Sequence, residues 1–439
     1  MSQPFQVCDG TPRQFEDQVL ALNFDSDKSV SFFEEQHEHS GEYPVLVGGQ
    51  VEIRRLDGGE PRMVLKTVTN DPDMLLSIFQ DDAEQRMKVS IPKKYNSSVG
   101  RQTPCVEMKA TIWVPENANL KVLSINVTHF RIDLLDDLSL KVIDHTALIS
   151  TTGSIGAGVG TPVSNAGLGT GSSASEFTYV PAKDSYAFNS TAIEARTVSG
   201  QISGNWPLYE ILGLHTTTGS IKVDVMPKER LLSGPGMAVL SLSTTSGDIS
   251  VVEPVHTAPM PLMDYLVDIK STSGSIHGAV AFGTAIKLQS IANDIVFDLL
   301  PVMHRNQLTP QTPAQLETVS RSGVTVVRVL DPIWYGGSSD TASTARLFDC
   351  LEAKHQETSG NMKLQYPKTW KGNAEVKSTS GRVSITGKEV VLVSQARQVI
   401  GADTRVCKGP KGYGEKDEPG SKILASGTSG DMYLTIGEE

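Results

Sequence analysis

The chain has 439 residues, 39 basic and 50 acidic, for a formal charge of -11. That length is ample for a core, and the acidic balance argues against a nucleic-acid binder held by phosphate contacts and against adsorption to an acidic membrane surface. No apolar run approaches the ~20 residues that a membrane-spanning helix needs.

Residues 1–43, with "FDSDKSVSFFEEQHEHSGEY", have little periodicity and read as a polar N-terminal arm or loosely docked cap. The opening "MSQPFQVCDGTPRQFEDQ" has no basic end followed by an apolar core, so it reads as lacking an export signal and points to the cytoplasm. Cys8, Cys105, Cys350 and Cys407 are too scattered for a CxxC site and too few for a disulfide scaffold, so isolated thiols are expected. Over 44–119, "PVLVGGQVEIRRL", "RMVLKTV", "RMKVSIP" and "CVEMKATIWVP" alternate apolar and polar residues between turn formers, the period of half-buried strands. "DMLLSIFQDDAEQRM" predicts one short helix.

From 120 to 439 a motif recurs: Ser or Thr, then Gly, then a polar residue, then an apolar one. The turn position is Gly153, Gly200, Gly219, Gly247, Gly274, Asn293, Gly360, Gly381 and Gly430. Two residues on stand Ile155, Ile202, Ile221, Ile249, Ile276, Ile295, Met362, Val383 and Met432, and five residues before the turn the side chain is apolar in every copy but His355. Those two columns are an odd number of residues apart, so one straight strand cannot bury both. A glycine bend at positive φ flips the parity, and Asn293 tolerates the same backbone. The motif therefore predicts an all-β, single-chain β-solenoid: arcs about 4.8 Å apart, stacked into a rod roughly 40 Å long and needing capped ends. Insertions are expected near 156–187, 301–355 and 403–421; the first is a Gly/Ser-rich excursion, and "DPIWYGGSSDTASTARLFDCLEAKHQ" in the second is read as holding a short helix.

The segment "ATIWVPENANLKVLSINVTHFRI", followed by "TTGSI", "TSGDI" and "TSGSI", resembles the putative adhesin domain family over roughly 105–434. That resemblance implies a β-solenoid with surface adhesion or envelope roles and carries no catalytic motif with it.

Chemistry is sparse. The residue after the turn includes Asp248, Asp294 and Asp431, read as turn residues bonding their own backbone. "HEH" at His37 to His39 has metal-type donors without a third ligand at a recognisable spacing, and "EKDE" at Glu415 to Glu418 reads as a solvated cluster. No GxSxG, HExxH, GxGxxG or GKS/GKT sequence occurs, so no cofactor is expected. Trp334 and Tyr335, with Trp206, Trp370 and Tyr413, lie beside turn formers; Trp334 and Tyr335 are the candidates for stacking on a ligand. The expected function is a non-enzymatic binding or structural module for glycans or a protein surface. The alternatives are a carbohydrate-active enzyme using acids such as Asp248, Asp294 or Asp331, and an intracellular scaffold. Location is cytoplasmic by the missing signal and surface or secreted by resemblance.

Overall fold

The computed structural model describes residues 8, 13–71, 73–96, 103–160, 186–229, 236–257, 259–336, 347–387, 390–397, 403–408 and 420–437. The protein is all-β, with no helix among the described residues, and most neighbouring strands are parallel. It divides into two compact units, Met1–Pro207 and Leu208–Glu439.

In the first unit, one sheet runs Arg86–Pro92, Ser29–His37, Ala118–Val127, Ser139–Ser150, Ala187–Thr197, each parallel to the next. The other runs Cys105–Val114, Leu46–Arg55, Arg131–Leu135, Ile155–Val159, Ile202–Leu208, also parallel, with Arg62–Thr69 antiparallel beside Cys105–Val114. Leu123, Ile125, Ile53 and Ile112 are buried, and Phe32 stacks on Phe130 at 6.3 Å. The stretch read as a polar arm contributes Ser29–His37, whose Glu34 binds the backbone N–H groups of Thr128 and His129 at 2.8 and 2.9 Å.

The second unit repeats one element pair. A strand such as Met237–Thr244 buries every second residue, the chain turns at the glycine, and a short strand such as Ile249–Val252 returns to the second sheet. Ile221, Ile249, Ile276, Ile295, Thr325, Met362 and Met432 are in register one against the next, and Val383 pairs with Met432. All eight are at most 2% exposed. Five residues before each turn, Leu214, Leu242, Ile269 and Leu288 are likewise buried, so both columns face one interior across the bend. On the outer face Asp268, Lys287, Glu317 and Lys354 lie in register with alternating charge, a cross-strand pattern that favours this pairing over a slipped one.

Several expectations fail. "DMLLSIFQDDAEQRM" is no helix: Ser77–Asp81 and Arg86–Pro92 form an antiparallel hairpin, with the Asp81 carboxylate accepting the N–H groups of Ala83 and Glu84 at 3.1 Å. Its apolar spacing fits a helix, but Met87, Val89 and Ile91 gain more from burial beside Ser29–His37. Of the segment "DPIWYGGSSDTASTARLFDCLEAKHQ", read as holding a short helix, 337–346 lie outside the described residues and the rest holds the strand Ile333–Tyr335 and the start of Leu351–Ser359, whose alternation is disguised because His355 and Glu357 point inward with Leu351 and Ala353. Cys8 and Cys105 are not isolated thiols; they form a disulfide across 97 residues, a proximity that spacing along the chain does not encode, while Cys350 is a buried free thiol. Chain order is also broken at the end: Ser421–Ser429 lies between Leu351–Ser359 and Gly372–Ser378, so the last arc is inserted between two earlier ones.

Candidate functional site

The turns are built by two side chains and one missing side chain. Three residues before the turn stand Ser150, Thr197, Thr216, Thr244, Ser271, Ser290 and Ser378, whose hydroxyl oxygens accept the turn residue's N–H at 2.8 to 3.3 Å. Six of these hydroxyls donate in turn to the carbonyl of the adjoining layer's turn, as Thr244 does to Gly219 at 3.0 Å and Ser271 to Gly247 at 3.1 Å. One buried hydroxyl thus satisfies a donor and an acceptor that would otherwise be orphaned. The motif contains this column, but in five of the seven copies it opens a run of three hydroxyl residues, and the run does not say which one points inward.

The glycine serves a different purpose from the one predicted. Of the motif glycines only Gly360 and Gly430 have positive φ, 150° and 112°, and Asn293 does not. What the others need is space: a Cβ on Gly200, Gly247, Gly274 or Gly381 would lie 1.7 to 2.0 Å from the carbonyl oxygen of the neighbouring turn. The layers approach so closely at the corner that backbone lies against α-carbon.

The residue after the turn ties layers together. The carboxylates of Asp248, Asp294 and Asp431 accept the N–H groups of Ser275, Val324 and Arg382 at 2.8, 2.7 and 2.9 Å. These acids bond the next layer, not their own backbone. Asp331 accepts the Thr369 hydroxyl at 2.7 Å.

Three adjoining layers depart from this pattern. At the turns of Gly323, Gly360 and Gly430 the glycine has positive φ, and the residue three before is Ser320, Glu357 or Gly427. Ser320 Oγ donates instead to Ser322 O at 3.4 Å, and the Gly360 N–H binds Ser429 O at 3.1 Å. Ser320, Glu357 and Gly427 are in register, and around them lies a cleft of about 320 Å³ lined also by Arg321, Gln356, Thr358 and Thr428. Glu357 is 4% exposed and points inward; its Oε2 receives the Thr325 hydroxyl at 2.7 Å, and the Ser320 hydroxyl also bonds its carboxyl. Burial raises its carboxyl above the ordinary range. "SRSGVTVV" at 320–327 is a further copy of the motif, disguised because Thr325 stands where the other layers have an aliphatic or Met.

Other titratable groups are deeply placed. Glu253 accepts the Ala281 N–H at 2.8 Å, and burial pushes its carboxyl up to about 8. His355 lies between the Thr318 hydroxyl at 2.8 Å and the Tyr366 hydroxyl at 2.7 Å, and burial drives its imidazole down to about 3. In the first unit Glu52 and Asp133 are side by side on parallel strands, Glu52 with Lys109 and Asp133 with Arg131, each at 2.7 Å. Burial holds Asp133 up at about 6. Both acids are under a tenth exposed, so the pair is closed to a bulky substrate.

Trp334 and Tyr335 are half-buried in the strand Ile333–Tyr335, in register with Met303 and His304, and Tyr335 meets the His304 ring edge-on at 4.9 Å. Trp206, inside a strand, and Trp370 are fully buried and present no stacking face to solvent. Tyr413 and Glu415 to Glu418 lie outside the described residues. His37 binds the Ser90 hydroxyl at 3.0 Å, and among the described residues no group of three or more His, Cys, Asp or Glu could hold a metal ion. No described helix is long and apolar enough to cross a membrane.

No protein-family model matches the chain, and a search of curated proteins returns no match. Among solved structures, a crystal structure of a putative cell adhesion protein from Clostridium sporogenes aligns over 97% of this chain and 100% of its own, at 7% identity and a TM-score of 0.16. A similarity that low carries no argument about fold or function.

Proposed function

We propose that this protein is a non-enzymatic, adhesin-like β-solenoid that binds a surface ligand or serves as a rigid structural module. The observation that carries the reading is the register of Ile221, Ile249, Ile276 and Ile295, one buried ladder built from copies of one motif. Such stacks present the same outward positions at a constant spacing of about 4.8 Å, which suits recognition of extended surfaces. The carboxylates of Asp248 and Asp294, the first acids to suspect in an enzyme, are engaged in holding adjoining layers.

The Cys8–Cys105 disulfide supports work in an oxidising compartment, at a cell surface or outside the cell. The test is retention of the purified full chain on immobilised cell-surface extracts and glycans, with product analysis on the same polysaccharides. Saturable retention without product is the expected result. Clean turnover of any polysaccharide would overturn the reading.

A further inference from the structure

The second sheet of the first unit is covered along one side by the N-terminal arm. Arg13–Gln14 and Gln18–Ala21 lie antiparallel to Arg62–Thr69, Arg13 opposite Thr69 and Ala21 opposite Arg62. The N–H groups of Phe15 and Leu22 bond the Thr67 and Pro61 carbonyls at 3.0 Å. Stripped of the arm, Arg62–Thr69 would keep only Cys105–Val114 on its other side and become an edge strand, "RMVLKTVT", whose only charges are Arg62 and Lys66. A bare strand of that length and composition is a template for another chain.

The arm grips weakly by itself. Leu20 and Leu22 are buried, but Val19 is 53% exposed and Arg13 and Gln14 lie at the surface. Its far end is fixed by Cys8, whose disulfide partner Cys105 opens the strand on the opposite side of Arg62–Thr69. The bond therefore reaches across the end of the strand that the arm covers, where Thr69 lies between Arg13 and Val106. A chain terminus with so few anchors frays unless it is tied down.

We propose that Cys8–Cys105 is a redox latch on this edge: closed, it holds the arm over Arg62–Thr69, and open, it lets the arm lift so that two copies of the chain pair through that strand. The same strand on both copies, running antiparallel, makes a closed two-fold contact, so pairing stops at a dimer. Opening takes two electrons and two protons from a dithiol, which leaves as its own disulfide while Cys8 and Cys105 become thiols. Both cysteines are at most 2% exposed, so reduction waits on a transient lifting of the arm and is slow.

The inference is independent of any ligand. The full chain is compared with and without dithiothreitol, and as Cys8→Ser/Cys105→Ser in dithiothreitol, by native mass spectrometry over a concentration series and by hydrogen exchange. The oxidised protein stays monomeric. In dilute reduced protein and in the double variant, exchange rises roughly tenfold or more over 13–21 and at the N–H groups of 62–69 that face the arm. At higher concentration a dimer forms, and protection returns to 62–69 but not to 13–21. Val64→Lys, half-buried on the outward face of that strand, adds a cation beside Lys66 and weakens the double variant's dimer about tenfold or more.

Reduced protein that stays monomeric throughout the series overturns the inference, as does a dimer equally abundant in the oxidised protein. A dimer that Val64→Lys leaves unchanged places the contact elsewhere and overturns it too. So does a loss of protection spread over all of Met1–Pro207 on reduction, since the bond would then staple the unit instead of latching its edge. If the double variant fails to fold, the reduced wild-type chain decides.

Discussion

A single atom decides most of what happens at each corner. Gly247 has the neighbouring carbonyl oxygen 1.9 Å from where a Cβ would stand, and both partners are backbone with no rotamer to escape into. Gly247→Ala must therefore spread two layers, and urea unfolding should show a loss of about 4 kcal/mol or more, the range reserved for core disruption. Thr244→Val keeps the volume but leaves the Gly247 N–H and the Gly219 carbonyl without their shared hydroxyl, and should cost about 1–3 kcal/mol. Equal, small effects in both variants would mean that the corner is looser than these distances require. The motif disclosed that glycine was needed but not why, because left-handed backbone and close approach leave the same trace in one sequence. The Ser or Thr three residues earlier is equally present in the motif, masked in most copies by two neighbouring hydroxyl residues.

At the scale of elements, period-two alternation and the apolar residue after each turn were readable because they follow from which side chains face the interior. Alternation is obscured where the inward residue is polar in place of an aliphatic one, as at His355, Glu357 and Thr325. Neighbour order was invisible, since a parallel arc fits beside any other arc of matching length. Insertion of Ser421–Ser429 between Leu351–Ser359 and Gly372–Ser378 follows from no local rule. It has a consequence for stability. Removing residues 420–439 strips Gly372–Ser378 of its parallel neighbour, so hydrogen exchange in the truncated chain should lose protection over 372–387 as well as at the cut. Because Gly372–Ser378 keeps its antiparallel neighbour Asp403–Lys408, the loss is expected at the N–H groups that bond Ser421–Ser429; protection persisting at those groups would mean that this strand re-pairs directly with Leu351–Ser359.

For the molecule as a whole, buried titratable groups set the pH range of stability. In the second unit Glu253 has a folded-state value near 8 against 4.5 when exposed, so between those limits the folded form holds the extra proton and stability falls as pH rises. His355, near 3 when folded against 6.5, acts oppositely: between those limits the unfolded form holds the extra proton, and stability rises with pH. From pH 4.5 to 6.5 the two slopes cancel. Above 6.5 only the carboxyl contributes, and stability falls by about 1.4 kcal/mol per pH unit until pH 8; below 4.5 the imidazole contributes a fall of similar slope as pH drops toward 3. Glu357, also raised, acts with the same sign as Glu253, its contribution being lost as pH rises through its folded value. Urea unfolding across this range should trace a plateau with two shoulders for Leu208–Glu439. Glu253→Gln, which keeps the shape without the ionisation, should flatten the alkaline shoulder and leave the acid one. An alkaline shoulder unchanged in that variant would show that Glu253 is already ionised in the folded protein, and that the Ala281 N–H stabilises the carboxylate better than its burial implies.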